Sequence, residues 1–231
     1  MTDGGWLGAA RTRPDTTGDL LEGLCRSCLR DAGVDGVCLS VVAADGTPEP
    51  VHATDELSER LGDLQFTLGE GPCAEVVRTA SPVLLPTLAD ASARWPTFVA
   101  EAGSAGVSAL FAVPIGIRAA TFGTLELHRR EPGPLSRSQL ALTLSSAEAA
   151  AWLVLSMWGP AAADDARPGS PPPPYRMVVH QAAGMVMVQL DVGVEEALVR
   201  LRSTAYAEGR SINDLAADLV AGRRRLTRED A

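Results

Sequence analysis

Apolar residues recur along the chain in two periods, and the places where one gives way to the other predict its elements. Leu21, Leu24, Cys25, Cys28 and Leu29 repeat at three- and four-residue steps, predicting a helix over 19–32. Short β-branched runs predict strands over 37–43 and 49–53, joined by a turn at Ala44-Asp45-Gly46. A helix is expected near Glu56–Gly62, then the loop Leu68-Gly-Glu-Gly-Pro-Cys73 and a helix over 74–79. A strand over 83–86, a helix near 96–103 and two longer strands, 107–117 and 121–129, follow. Ser136 stands where a cap belongs, ahead of a long helix reaching Trp158. Helices flanking sequential strands with hairpin-like turns predict an α+β sandwich, one antiparallel sheet covered by helices.

The pattern breaks at Gly159–Pro174, GPAAADDARPGSPPPP, whose four terminal prolines cannot continue a helix. Three helical patterns follow. The first, Arg176 to about Leu190, carries Val178, Val179, Ala182, Met185, Val186, Met187, Val188 and Leu190 nearly all round. Such a helix must be covered on most sides, which predicts a homodimer through it. Gly184 in its middle costs about 1 kcal/mol against Ala, predicting close approach by a helix or a ligand. The second runs from Val194 to about Glu208 with Gly193 as a modest cap. It pairs Glu196 with Arg200 and sets Arg202 beside Tyr206. That second pair reads either as a cation–aromatic surface contact or as a seat for a phosphate and an unstacked base. Ser211 and Asp214 predict a capping box for the third helix, Ile212 to about Leu226, which ends in Arg223, Arg224 and Arg225.

The organisation is thus a flexible tail over 1–17, an α+β domain over 18–158, a linker over 159–174 and a three-helix domain over 175–231. All 20 basic residues are arginine, against 29 acids. From Tyr175 onward eight arginines balance eight acids, so the whole excess of −9 lies upstream. A polyanion would therefore meet the C-terminal half. Cys25 and Cys28 have C-x-x-C spacing with no second pair to complete a zinc site. Within a helical pattern they read as small buried apolar residues, so no metal site is expected. His52 and His128 fall in strand patterns, as hydrogen-bonded histidines commonly do. Nothing has the order of a catalytic triad, a Walker-type loop or H-E-x-x-H, so no catalytic residue and no enzyme activity is expected. Residues 1–30 lack a signal-peptide pattern and no apolar run spans a bilayer, so the expected setting is the cytoplasm, without a membrane.

LGEGPC, PVLLPTLAD, ALFAVPI and TFGTLELHRR resemble a GAF domain, a small sensor module, over roughly 18–158. The resemblance implies an antiparallel-sheet sandwich that either takes a small-molecule effector or serves as a dimerisation scaffold. It does not identify the ligand pocket, and no cofactor is expected. The two glycines of the 69–73 loop permit a close backbone approach, but turn chemistry alone explains each residue there.

The stretch HQAAGMVMVQLDVGVEEALVRLRSTAYAEGRSINDLAADLV resembles an ANTAR domain, a three-helix RNA-binding output module. The carriers are the A-x-G of Ala182–Gly184, the Met pair, Glu196–Ala197, the L-R-x-x-A of Leu201–Ala205 and Ala216–Ala217. Gly193 stands where Ser, Thr or Asp is usual, and Ala183 where a basic residue is common. The resemblance implies binding to paired hexaloop stem-loops in nascent mRNA, which prevents a terminator hairpin from forming. By position, the RNA face would comprise His180, Gln181, Gly184, Arg202, Tyr206 and Arg210, with Arg223 and Arg224 as outer phosphate contacts. The alternatives are a DNA-binding helix-turn-helix regulator and a dimerising sensor that binds no nucleic acid. Against the first, the would-be recognition helix opens Ile212-Asn213-Asp214 and carries Asp218, poorly suited to a phosphate-lined groove.

Overall fold

The computed structural model describes residues 16–43, 46–118, 120–157 and 176–227. The tail expected over 1–17 lies outside them except for Thr16 and Thr17, and so do the 159–174 linker and Ala44-Asp45 of the first turn. The N-terminal part runs α1 (Thr16–Ala32), β1 (Gly36–Val42), β2 (Pro48–Ala53), α2 (Glu56–Leu68), α3 (Pro72–Thr79) and β3 (Val83–Leu85). A short 3-10 turn, Leu88–Ala91, leads to α4 (Pro96–Ser104), β4 (Ala109–Ile117), β5 (Ala120–Arg129) and α5 (Arg137–Met157). The five strands form one sheet in the order β2-β1-β5-β4-β3, with every neighbouring pair antiparallel. This is the α+β sandwich that the hydrophobic pattern predicts.

Alternation along β4 builds both sides of the core, because successive strand residues point to opposite faces. Ala109, Phe111, Val113 and Ile115 pack with Leu21, Cys25 and Cys28 of α1 and Ala147, Ala150 and Val154 of α5. Leu110 and Ala112 pack on the other face with Leu61 of α2, Val76 of α3 and Phe98 and Val99 of α4. Ser136 caps α5 through a reciprocal pair: its Oγ accepts from the Gln139 N–H (3.2 Å) and its own N–H donates to Gln139 Oε1 (2.8 Å).

Helix α2 departs from expectation, running six residues past Gly62 to Leu68. Leu57, Leu61, Leu64 and Leu68 all pack on the α2–α4 cluster at helical spacing. Gly62 does not end the helix. It lets β2 approach, since a Cβ there would lie 2.8 Å from Pro50 Cγ. The stop comes at Gly69, left-handed at φ 68°, whose N–H closes on Gln65 and Phe66.

The C-terminal part is α6 (Met177–Leu190), α7 (Val194–Ala207) and α8 (Ile212–Val220). Their buried faces form one cluster that includes Val179, Val186, Leu198, Leu201, Leu215 and Leu219. Gly193 occupies the N-cap of α7 without a side-chain bond, and the Ser211 hydroxyl caps α8 by accepting from the Asn213 N–H. That bond replaces the expected Ser211–Asp214 box. Helix α8 ends at Val220, six residues early, because the Gly222 and Arg223 N–H groups turn back to Leu219 and Asp218.

Candidate nucleic-acid interface

The eight residues expected to face RNA fall into three groups. His180 on α6 and Arg202 on α7 turn toward the sheet domain. His180 Nε2 is 2.6 Å from Glu49 Oε1 of β2, whose side chain is fully buried. The Arg202 guanidinium lies over the Phe66 ring of α2, 4.4 Å from its centre. That replaces the Arg202–Tyr206 contact that their spacing allows, because a buried aromatic face is the stronger cation seat.

Tyr206 and Arg210 line a cleft of about 560 Å³ between the two parts of the chain. Leu57, Arg60 and Leu64 of α2 and Glu101 of α4 form its opposite wall. Arg210 donates to Asp218 (2.5 Å), and Arg223 approaches the other oxygen of the same carboxylate (2.8 Å). These two bonds, Arg210's first, hold Asp218 below the usual carboxylate range. Arg224 donates to Glu208 at 2.5 Å.

Gln181 and Gly184 point to solvent on the far side of α6, in an exposed stripe with Met177 and Val188, the last 85% exposed. The close approach expected at Gly184 is not found: nothing lies within 4 Å of a Cβ built there. Of the encircling apolar residues of α6, Val179, Ala182, Val186 and Leu190 are covered by α7, α8 and Phe66, which belongs to the C-terminal cluster and is 2% exposed, while Val188 is not covered.

Three further residues outside the expected set, Arg176, Asp63 and Phe66, complete the seam. Arg176, fully buried at the N-cap of α6, donates to Asp63 Oδ1 (2.7 Å) and to the Gly62 carbonyl (3.2 Å). Its guanidinium also stacks 3.8 Å from the Phe66 centre. Burial pushes the Asp63 carboxyl up, and the neighbouring arginine only partly offsets this. Phe66 and Asp63 escape sequence reasoning because they sit in the part of α2 beyond Gly62; the leucine repeat Leu57, Leu61, Leu64, Leu68 is the signal for it.

Beneath Phe66 the sheet domain holds a smaller cavity, about 170 Å³, lined by Ser40, Gln65 and Cys73 and also by Arg202. The Cys73 thiol donates to Glu126 Oε2 (3.1 Å), which also accepts from Gln65 Nε2 (2.7 Å). Burial, followed by the Glu126 carboxylate, pushes the thiol well up, and burial likewise raises Glu126. Cys73 therefore stays a neutral thiol, packed inward against Glu126. His128 is buried at 3.3 Å from Ser58 Oγ, the hydrogen-bonded histidine of a strand. Among the described residues, no group of three or more potential metal ligands gathers.

A GAF domain model matches residues 15–156, and an ANTAR domain model matches residues 175–220. No curated protein matches the chain. Among solved structures, a domain of a putative two-component sensor histidine kinase protein from Sinorhizobium meliloti 1021 is 18% identical, with a TM-score of 0.52. That similarity covers 64% of this chain and 96% of that one. The GAF domain region of a putative membrane protein from Geobacter sulfurreducens PCA is 16% identical at a TM-score of 0.51, covering 60% and 92%. GAF3 in its photoproduct state, from Synechocystis sp. PCC6803, is 12% identical at 0.51, covering 66% and 100%. At these identities the likeness concerns the fold.

Proposed function

The chain belongs to the GAF domain family and carries an ANTAR domain behind its sensor module, and from that membership we propose a transcription antitermination regulator. A sensor domain joined to an RNA-binding output domain is the layout of a signal-responsive regulator rather than an enzyme. In this reading the protein works in the cytoplasm and binds paired hexaloop stem-loops in nascent mRNA, keeping an overlapping terminator hairpin from forming. No single helix among the described residues is long and apolar enough to cross a membrane.

The observation carrying the reading is that Tyr206 and Arg210 line one cleft at the end of α7 and the turn after it, within the segment matched to ANTAR. Looped RNA presents splayed bases and phosphates, and an exposed aromatic ring lining one cleft with a guanidinium suits both. Gln181 and Gly184 extend the proposed face along α6, and Arg223 and Arg224 supply outer phosphate contacts that weaken with salt. In this reading the protein acts as a homodimer. A small-molecule effector in the GAF domain would occupy the cavity beneath Phe66, where Arg202 joins the lining and would register its presence.

The test is fluorescence anisotropy with an RNA of two tandem six-nucleotide-loop hairpins. Tyr206→Ala combined with Arg210→Ala is expected to weaken binding at least tenfold, the value of one lost base stack and one phosphate contact. Wild-type affinity in that variant refutes the proposed face.

A further inference from the structure

The C-terminal domain meets the GAF domain through three cationic or ionisable side chains and three GAF groups. Arg176 meets Asp63, His180 meets Glu49, and Arg176 and Arg202 both lie over Phe66. The GAF groups are two carboxylates and an aromatic ring. RNA offers the same chemistry to the same side chains, since phosphate oxygens take a cation as a carboxylate does, and a splayed base offers a π-face as Phe66 does. His180 and Arg202 also belong to the proposed RNA face.

We propose that the β2–α2 face of the GAF domain is an internal RNA substitute, holding His180 and Arg202 so that RNA must displace it to engage them. This inference rests on the RNA-binding reading above. The placement of charge favours it: the acidic excess of −9 lies upstream of Tyr175, and the C-terminal segment is balanced. Packing favours it as well. A cleft of about 560 Å³ interrupts the seam, and two of the three GAF groups that anchor it are carboxylates, as suits a contact that forms and releases. Gln181, Gly184, Tyr206, Arg210 and Arg223 remain exposed while the domains are docked. An arriving RNA therefore has a partial foothold, and full engagement follows undocking. A mostly docked ensemble lowers apparent affinity by the undocked fraction, so weakening the dock raises affinity without any new RNA contact.

The test uses the full chain and the tandem hexaloop RNA. Glu49→Gln with Asp63→Asn alters only GAF groups, and this variant is expected to bind the RNA about tenfold more tightly than wild type. Independently of any substitution, hydrogen exchange along α2 in the wild-type protein is expected to quicken when the RNA saturates it. Unchanged α2 protection at saturation overturns the proposal, as does a variant with quickened α2 exchange and unaltered RNA affinity. If both proteins bind the RNA equally, the RNA reading stands and the internal substitute alone fails. If neither binds it, the RNA reading fails and takes this inference with it.

Discussion

The Arg176 guanidinium sits 3.8 Å from the centre of the Phe66 ring while its Nη2 donates to Asp63 at 2.7 Å, so one fully buried cation ties the two domains by a ring and a carboxylate. Its Nε and Nη1 have no hydrogen-bond partner, and the ring face is what this side of the charge meets. A buried cation survives only with such compensation. Removing it strands the carboxylate that it serves.

Arg176→Met keeps the length and the contact with Phe66 but leaves Asp63 without its cation. It is expected to lower stability by about 2 kcal/mol in urea unfolding, and adding Asp63→Asn should recover most of that loss. A double-mutant coupling below about 0.5 kcal/mol would mean that the pair does not hold the seam.

Acidification should act through His128, whose pKa is lowered chiefly by burial. A lowered histidine stays neutral in the folded state while the unfolded chain takes up a proton near 6.5, so this residue's contribution is lost as pH falls below that value. Glu126 works in the opposite sense: raised by burial, it favours the folded state as it becomes protonated. Urea midpoints for wild type and His128→Gln between pH 8 and 5 separate the two. The wild type is expected to lose more stability over that range, and parallel curves would contradict the assignment.

Cys25, Cys28, Cys38 and Cys73 are all buried, and Cys25 is pushed up to about 12, by burial first and then by Cys28. A raised thiol stabilises the fold below its ordinary value of 9.0 and loses that contribution as pH climbs from 9.0 toward 12. Iodoacetamide at pH 8 should modify none of the four in the native protein and all four in urea. Rapid native modification of any of them would show an accessible thiolate.

Asp218 holds Arg210 at 2.5 Å and Arg223 at 2.8 Å on its two oxygens. Asp218→Asn removes the charge that both guanidinium groups share and leaves Arg210 with Glu208 alone at 3.6 Å, so RNA affinity should rise severalfold and its dependence on salt should steepen. An unchanged salt slope would place both arginines outside the RNA contact.

The sheet, its flanking helices and the three C-terminal helices were legible in the sequence because periods of two and of three to four residues are imposed directly by burial. The α2 extension was not, because Gly62 resembles a stop, and only the approach of Pro50 explains a glycine inside that helix. The seam was hidden for a related reason. Arg202 and Tyr206 stand four residues apart on one helix, and no local pattern reveals that Phe66, 136 positions upstream, outcompetes Tyr206 for the guanidinium. The encircling apolar surface of α6 pointed to a cover; part of that cover is the chain's own GAF domain.

A direct competition tests whether the C-terminal helices read looped RNA. Labelled tandem hexaloop RNA bound to the full chain is challenged with the same RNA unlabelled and with duplex DNA of equal length. The RNA is expected to displace the label, and the duplex should leave it bound up to at least a hundredfold excess. Displacement by the duplex at equal concentration, or no binding of the labelled RNA at all, would contradict the claim.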